Sequence, residues 1–399
     1  MPSRRTFLRA VGGTATIGGV GSLLSGRRLP GTCRPRREPT WERSGRSWTT
    51  PAFGPDALFL GEWFGATGIR GTARLVALNS WEGSAAWART VTGAGWGRPA
   101  VTDDAVYAGT GNKSVHAFDP VTGDTLWVWD GSEEDTIGGG AWARPAVADG
   151  TVFVAVSTAR ADDSDPPDDT DYDHRVVALN AREGTVRWTA DTDRSVFSDP
   201  AVVAGTLVVA AESGTVYGLD PADGSERWVV SRDAVVGQPV VAGGESVVAL
   251  DAKTGEAAWT ATPPGTPTAL DATEDRLFLG DDEGNAVSYG LRDGRERWRF
   301  RAEAPVGGIA GLRSETDQTD SARADEVSVE ARVADHIGYV YAVTDAGTRT
   351  DRFHISESGS DDRCGWDPSR RWVNGATARG DSLYVSTEWS VERFEIDGD

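Results

Sequence analysis

One pattern of apolar and polar positions recurs along the chain. An apolar run ending in Leu or Phe leads through a short Gly-containing turn to a Trp, and the Gly lies four residues before that Trp in all six copies. Five copies also place Asp or Asn eight residues before the Trp. The six copies run from Val76 to Trp87, Val115 to Trp127, Val177 to Trp188, Tyr217 to Trp228, Val248 to Trp259 and Tyr289 to Trp298.

This pattern predicts two antiparallel strands joined by a tight hairpin. Alternating apolar positions are typical of a strand packed on one face. Asp or Asn bonds to its own backbone in the turn, and Gly accepts the positive φ that the hairpin requires. The Trp begins the second strand and is large enough to fill the gap between neighbouring sheets. A further strand introduced by Pro precedes most copies, at Pro99, Pro145, Pro200 and Pro239.

Four strands in about 40 residues are the size of a propeller blade. Two further units are degenerate: the run Val340–Asp345 leads to Phe353 where Trp is expected, and Leu383–Phe394 lacks a Trp strand. We expect Trp41 to supply that strand and close the ring. The sequence thus predicts an all-β, eight-bladed propeller of four-stranded antiparallel blades over residues 38–399, with seven blades as the alternative. The expected structural tryptophans are Trp41, Trp87, Trp127, Trp188, Trp228, Trp259 and Trp298.

One blade is expected to be truncated. Only 31 residues separate Trp228 from Trp259, whereas 40 separate Trp188 from Trp228. The run from Pro239 passes almost directly into the next apolar run, which suggests that one strand has been deleted and the sheet has three strands.

Residues 1–37 have the features of an export signal followed by a basic tether. Arg4 and Arg5 precede an apolar pair, as in the twin-arginine pattern. The apolar stretch 10–24 is short for a transmembrane helix, which needs roughly 20 residues, and suits a signal peptide. Cys33 follows this stretch, but the residues before it match the lipoprotein consensus poorly. Two alternatives therefore remain, namely lipidation of Cys33 or a disulfide with Cys364.

Charge narrows the possible partners. The formal net charge is −21, and without residues 1–37 it becomes −29, from 32 basic and 61 acidic residues. The chain contains only two lysines but 38 arginines. Such a charge repels itself unless molar salt shortens the Debye length to about 3 Å, so the composition resembles that of haloarchaeal proteins. It also argues against nucleic acid, which needs a basic footprint.

The repeats resemble the pyrroloquinoline-quinone-like (PQQ-like) propeller repeat, whose typical unit reads Ala-Leu-Asp-x-x-Thr-Gly-x-x-x-Trp. The segment from Ala249 to Trp259 matches it at every specified position. The resemblance covers nearly all of the chain after the signal. It implies a propeller fold and leaves function open, because one fold hosts many functions.

A candidate ligand site lies in the loops that enter the Pro strands. Trp and Arg recur there, and the following strand of a propeller blade lines the channel, so we expect these side chains to meet at one mouth. The candidates are Trp96, Arg98, Trp142, Arg144, Asp199, Gln238, Trp372 and Asn374. They would suit a planar or anionic ligand. The alternative is that the tryptophans cap blade junctions and the arginines pair with nearby acids.

Two charged inserts, residues 158–175 and 311–332, interrupt the repeats. In the first, Asp169, Asp171 and Asp173 alternate as Ca²⁺ ligands do, although no EF-hand Gly or Glu follows. A solvated acidic loop is the competing interpretation.

Two classes of function follow. The first is a non-catalytic, exported binding or scaffold module at the cell surface, monomeric, for a protein, peptide or polysaccharide partner. The second is a PQQ-dependent dehydrogenase, or a propeller that binds another small ligand. The resemblance implies that such enzymes stack the quinone between a Trp and a disulfide of adjacent cysteines and hold Ca²⁺ with Glu, Asn and Asp. Cys33 and Cys364 are not adjacent, so the binding module is preferred.

Overall fold

All regular structure in the described part of the chain is β-strand, as the alternating pattern predicts. The computed structural model describes residues 36–37, 39–45, 49–64, 71–93, 96–131, 136–141, 143–160, 172–196, 198–231, 236–237, 240–243, 246–273, 275–312, 329–335, 339–355, 373–379, 382–387 and 390–395. Within these ranges no helix has the length and apolar character needed to cross a membrane.

The strands form eight sheets, numbered here as blades 1 to 8 in chain order. Two N-terminal strands, β1 (Arg36–Arg37) and β2 (Trp41–Ser44), belong to blades 7 and 8. Blade 1 contains β3 (Ala52–Phe53), β4 (Ala57–Phe64), β5 (Gly71–Asn79) and β6 (Ala85–Gly93). Blade 2 contains β7 (Ala100–Val101), β8 (Val106–Gly109), β9 (Ser114–Phe118) and β10 (Thr125–Asp130). Blade 3 contains β11 (Thr136–Gly140), β12 (Ala146–Ala148), β13 (Thr151–Arg160), β14 (Tyr172–Asn180) and β15 (Val186–Asp191).

The remaining blades continue this order. Blade 4 contains β16 (Ala201–Val203), β17 (Thr206–Ala210), β18 (Thr215–Leu219) and β19 (Glu226–Ser231). Blade 5 contains β20 (Val236–Gly237), β21 (Val240–Gly243), β22 (Ser246–Leu250) and β23 (Ala257–Ala261). Blade 6 contains β24 (Pro267–Ala272), β25 (Arg276–Asp281), β26 (Asn285–Gly290) and β27 (Glu296–Arg301). Blade 7 contains β28 (Val306–Gly311), β29 (Val329–Asp335), β30 (Tyr339–Thr344) and β31 (Arg349–Ile355), and blade 8 contains β32 (Val373–Arg379), β33 (Ser382–Thr387) and β34 (Ser390–Glu395).

Eight blades of four antiparallel strands confirm the predicted fold and exclude the seven-bladed alternative. Two blades carry an extra strand. In blade 3, β11 and β12 both pair with β13, and in blade 7, β1 adds to the outer strand β31 in parallel. Both additions lie on sheet edges, where unpaired N–H and C=O groups can accept another strand.

The two ends of the chain share blade 8. The N-terminal strand β2 pairs antiparallel with the C-terminal strand β34, with Trp41 opposite Arg393. This pairing completes the fourth strand of the last blade. Closure of the ring leaves each blade with a neighbour on both faces, which an open array would lack at its ends.

The hydrophobic core is divided into eight clusters, each lying between two consecutive blades. One cluster joins blades 3 and 4 through residues such as Phe153, Trp188 and Leu207. The cluster that closes the ring joins blades 8 and 1 and contains Trp41 and Leu58. Stability therefore comes from the junctions between blades, because a single sheet cannot bury its own apolar face.

The blade tryptophans bridge these junctions. The indole N–H of six of them donates a hydrogen bond of 2.8–3.0 Å to a main-chain carbonyl of the next blade. The donor and acceptor pairs are Trp41 with Ser80, Trp87 with Pro120, Trp127 with Ala181, Trp188 with Pro221, Trp228 with Ala252 and Trp259 with Leu291. Each ring also packs against the turn glycine of that next blade, for example Trp127 against Gly184. The Trp and the Gly of the sequence pattern therefore contact each other between repeats.

Two expectations about individual blades are wrong. Blade 5, which contains Trp259, keeps four strands, because its two inner strands shrink to two and four residues and the turns between strands are short. In blade 7 the register places Ala342 opposite Asp351, as Ala77 lies opposite Trp87 in blade 1. Asp351, and not Phe353, therefore occupies the Trp position.

Candidate functional site

The inner strand of each blade lies next to the central axis. Inner strands of neighbouring blades contact one another, as β12 does with β16 and β24 with β28. All inner strands run in the same direction along the channel, so the residues that precede them gather at one end, called here the upper mouth. A buried Pro follows the mouth residue in blades 2, 3 and 4, at Pro99, Pro145 and Pro200. Pro has no N–H to donate, so regular pairing begins only after it.

The structure brings Arg98, Arg144 and Asp199 together from three consecutive blades. A carboxylate oxygen of Asp199 lies 3.9 Å from Nη1 of Arg98. The other carboxylate oxygen accepts a hydrogen bond of 2.9 Å from the main-chain N–H of Arg144. Among the described mouth residues, these three of the eight candidates form one cluster.

The cluster contains two arginine side chains and one carboxylate. Burial, and after it the positive charge of Arg98, lower the pKa of Arg144, and Asp199 offsets part of that effect. Arg98 is about a third exposed, at 34%, and its Nε is buried without a hydrogen-bond partner in the described structure. The cluster therefore has a net positive charge, which is the environment that an anion prefers.

Small residues occupy the inner strands of blades 7 and 8. A Cβ at Gly375 of blade 8 would lie 2.3 Å from Oγ1 of Thr50, and one at Gly308 of blade 7 would lie 3.0 Å from the main-chain N of Ala376. The inner strands of blades 7, 8 and 1 are therefore closely packed. Among the described mouth residues, charge is concentrated on blades 2 to 4.

Trp96 is placed in the junction between blades 1 and 2. It is buried, with 6% exposed, and belongs to the cluster that contains Phe59 and Phe118. Its ring meets His116 edge-on at 4.9 Å between centroids and Phe118 at 5.9 Å. Trp96 therefore belongs to the packed junction and does not line an open mouth.

A polar cluster beneath Trp96 holds the loop that leads to Arg144. Thr110, Asn112, Ser114 and His116 are hydrogen-bonded to one another, with 2.9 Å between Ser114 Oγ and His116 Nε2. The same turn accepts main-chain hydrogen bonds from both ends of that loop, from Gly131 at 3.2 Å and Ala141 at 2.8 Å. Sequence reasoning missed this role, because a polar turn between two strands carries no signal of what it holds.

His116 is expected to stay neutral at pH 7, because burial lowers its pKa to about 4 against the opposing effect of Asp130. In the unfolded chain the pKa of this imidazole is about 6.5. Between pH about 4 and pH about 6.5 the unfolded chain therefore binds more protons than the folded protein. The contribution of His116 to stability is therefore present above pH about 6.5 and lost as the pH falls towards 4.

NMR titration of the imidazole ring, assigned by comparison with His116→Gln, measures this value. A midpoint near 6.5 would show that the ring is solvated.

Several predicted residues lie outside the described parts. These are Trp142, Gln238, Trp372, the side chain of Asn374, Asp169, Asp171, Cys33 and Cys364. Most of the two charged inserts also falls there, at 161–171 and 313–328. Asp173 is described and lies in β14, opposite Thr158.

The quinone and calcium site implied by the resemblance does not fit the described residues. Trp96 is buried in the junction between blades 1 and 2, so its ring is not available for a ligand to stack on. In the described ranges no three or more His, Cys, Asp or Glu side chains are grouped to hold a metal ion. The upper mouth instead offers guanidinium groups.

Comparison with known proteins supports the fold. The family model of the outer membrane protein assembly factor BamB matches residues 38–166, 128–244 and 173–396. The serine/threonine-protein kinase AfsK of Streptomyces coelicolor is 27% identical over an alignment of 280 residues, which covers 52% of this chain and 31% of the kinase. The chain thus spans less than a third of the length of that relative.

Solved structures show the same architecture. BamB from Moraxella catarrhalis aligns with a TM-score of 0.57 at 16% identity, covering 87% of this chain and 94% of BamB. The designed Ika8 protein gives a TM-score of 0.63 at 12% identity, covering 90% and 99% of the two chains. A europium-containing methanol dehydrogenase gives 0.56 at 12% identity, covering 87% and 84%. At these identities the structures establish the fold alone, whereas the family model matches most of the sequence, so the chain belongs to the BamB-like family of PQQ-type β-propeller repeat proteins.

Proposed function

We propose that this protein is a non-catalytic, exported binding or scaffold module that holds an anionic group of a partner at its upper mouth. The observation that carries the proposal is the meeting of two arginines at one carboxylate: the Arg98 guanidinium lies 3.9 Å from Asp199, and the main-chain N–H of Arg144 donates to the same side chain. A partner carboxylate can complete this cluster. Guanidinium groups bind carboxylates through two parallel hydrogen bonds, which gives orientation as well as affinity.

The family favours a protein or peptide partner over a reaction. BamB is described as an assembly factor, and a rigid ring with loops gathered at one mouth suits such a role. A polysaccharide with acidic groups would offer the same carboxylate chemistry. We propose that Gln238, Asn374, Trp142 and Trp372 extend the surface around the arginines, the tryptophans as flat apolar contacts.

The proposed location is the outer face of the cytoplasmic membrane or the medium beyond it. The twin-arginine pattern at Arg4 and Arg5 supports export. Lipidation of Cys33 would anchor the protein there, whereas a Cys33–Cys364 disulfide would leave it unanchored. Ca²⁺ binding by Asp169, Asp171 and Asp173 is a further proposal, which removal of Ca²⁺ by a chelator tests directly.

Variants at the upper mouth test the function. We expect triglutamate to bind saturably to the purified protein in about 2–4 M KCl, a range chosen so that acidic repulsion is screened. Arg98→Ala with Arg144→Ala should weaken binding by roughly tenfold or more. Asp199→Asn should strengthen it, because the competing carboxylate is lost. Tryptophan fluorescence and calorimetry measure both effects.

A second probe separates the two classes of function. Arg227→Ala, on the outer strand of blade 4, is the matched control and should leave binding unchanged. Free PQQ with Ca²⁺ is tested in parallel. Saturable PQQ binding together with dye-linked alcohol oxidation would overturn the non-catalytic proposal, and triglutamate binding that survives the double substitution would overturn the mouth assignment.

A further inference from the structure

The outer hairpin of blade 6, residues 291–301, is basic in a strongly acidic chain. It contains five arginines, Arg292, Arg295, Arg297, Arg299 and Arg301, against the two acids Asp293 and Glu296. Its net charge is therefore +3, in a protein whose total is −21. A local concentration of one sign against the overall charge indicates a surface that selects the opposite sign.

Equivalent hairpins of other blades do not share this charge. The hairpin 119–130 of blade 2 has a net charge of −3, 220–231 of blade 4 has −2, and 251–261 of blade 5 has −1. Hairpins 79–89, 180–191 and 345–355 are neutral when His is counted as uncharged. The fold imposes the same backbone on each hairpin, so the arginines of blade 6 are not required by the architecture.

These guanidinium groups are exposed and outnumber the acids beside them. Arg297 pairs with Asp293 at 2.9 Å and Arg299 with Glu296 at 2.7 Å. Arg301 lies 3.9 Å from Glu283. The side chain of Arg295 is 81% exposed and that of Arg301 is 64% exposed. Exposed pairs of this kind contribute little stability, so the arginines remain available to a partner.

Their spacing follows the strand period. Arg297, Arg299 and Arg301 alternate along β27 with Trp298 and Phe300, which face the core. Alternate residues of a strand lie on one face and are roughly 7 Å apart. Carboxylates at every second position of another strand would therefore meet all three arginines.

The edge of blade 6 is open to such a strand. Among the described strands, β27 is the last in the order β24-β25-β26-β27, so no described strand pairs with its outward N–H and C=O groups. In blade 7 the corresponding edge strand β31 is covered by β1 in parallel. The same molecule therefore shows that the outer edge of a blade can accept an added strand.

We infer that the outer hairpin of blade 6 binds an extended, carboxylate-rich segment of a partner protein as an added edge strand. Main-chain hydrogen bonds to β27 provide the pairing, and Arg297, Arg299 and Arg301 select acidic side chains. A polysaccharide could meet the charges but could not pair with the strand edge, so a protein segment fits both observations. This surface is separate from the upper mouth and does not depend on the function proposed for it.

The probe is an acetylated octapeptide of alternating Thr and Glu, titrated against the whole protein at several KCl concentrations. We expect saturable binding that weakens as salt rises and falls by roughly tenfold or more in Arg297→Gln with Arg299→Gln and Arg301→Gln. The same peptide with alternate amides N-methylated keeps its charge but cannot pair with an edge, and it should not bind.

Control variants separate this inference from the proposed function. Arg187→Gln with Arg227→Gln changes the positions equivalent to Arg297 in blades 3 and 4 and should leave binding unchanged. All these titrations are made with the Arg98→Ala and Arg144→Ala substitutions also present, so that the upper mouth does not contribute to peptide binding. An unchanged unfolding midpoint shows that the triple variant is folded. Undiminished binding by that variant, binding of the N-methylated peptide, or arginine-dependent binding of polygalacturonate but not of the peptide would each overturn the inference.

Discussion

Replacement of Trp188 by alanine is expected to lower the free energy of unfolding by about 3–5 kcal/mol. The ring is buried between blades 3 and 4, 5.7 Å from the ring of Phe153, and its N–H donates a 3.0 Å hydrogen bond to the Pro221 carbonyl. The alanine variant leaves a large cavity and an unpaired carbonyl at the same junction. Because the ring of blades depends on every junction, the loss affects the whole domain. Denaturant unfolding at constant KCl measures it.

Two further variants make this prediction specific. Trp188→Phe keeps much of the packing but loses the hydrogen bond, so its effect should be intermediate. Trp81→Ala removes a tryptophan that is 67% exposed and lies over Arg393 at 4.8 Å, and it should cost less than about 1 kcal/mol. Equal losses for Trp188→Ala and Trp81→Ala would contradict the junction role.

Replacement of Gly184 by alanine is expected to cost about 2–4 kcal/mol. Gly184 has a φ of +69°, and a Cβ there would lie 2.6 Å from Cε3 of Trp127. Alanine is therefore strained in the left-handed backbone conformation, and it also displaces the Trp127 ring, which joins blades 2 and 3. Thermal or denaturant unfolding of the variant measures the combined cost.

Gly205 provides the matched control. Its φ is +78°, but nothing lies within 4 Å of the position that a Cβ would occupy. Gly205→Ala should therefore show only the backbone cost, about 1–2 kcal/mol. If both variants lose the same stability, the contact between Trp and Gly contributes nothing beyond turn geometry.

Much of the fold could be predicted because each repeat contains the residues that define its hairpin and its buried face. The fixed distance between Gly and Trp marks each hairpin, and strand alternation marks the core face. Four residues after Gly347 comes Asp351, so the same Gly-to-Trp distance identifies Asp351, and not Phe353, as the Trp position in blade 7. The fourth strand of blade 5 was harder to find, because a strand of two residues such as β20 has no alternation to detect.

The candidate site could be predicted only in part. The recurrence of Arg before Pro gives Arg98 and Arg144 a common position in successive blades. It could not show that Trp96 packs into a junction, because an aromatic residue beside the channel and one between blades look alike in sequence. Nor could it show that the turn at Thr110 holds the loop that leads to Arg144, since hydrogen bonds between loops leave no periodic pattern.

By itself the sequence determined the class of fold, the spacing of the repeats and the acidic character of the protein, because local spacing and composition decide these properties. It also predicted the pairing of the two ends, while the choice of eight blades over seven came from the structure. Only the tertiary structure decided which side chains meet. Asp199 reaches two arginines of other blades, each Trp rests on the Gly of the next repeat, and the arginines of β27 lie on an open edge. The physical reason is that contacts between blades depend on how neighbouring sheets are rotated and packed, and residues distant in the chain meet only once the ring has closed.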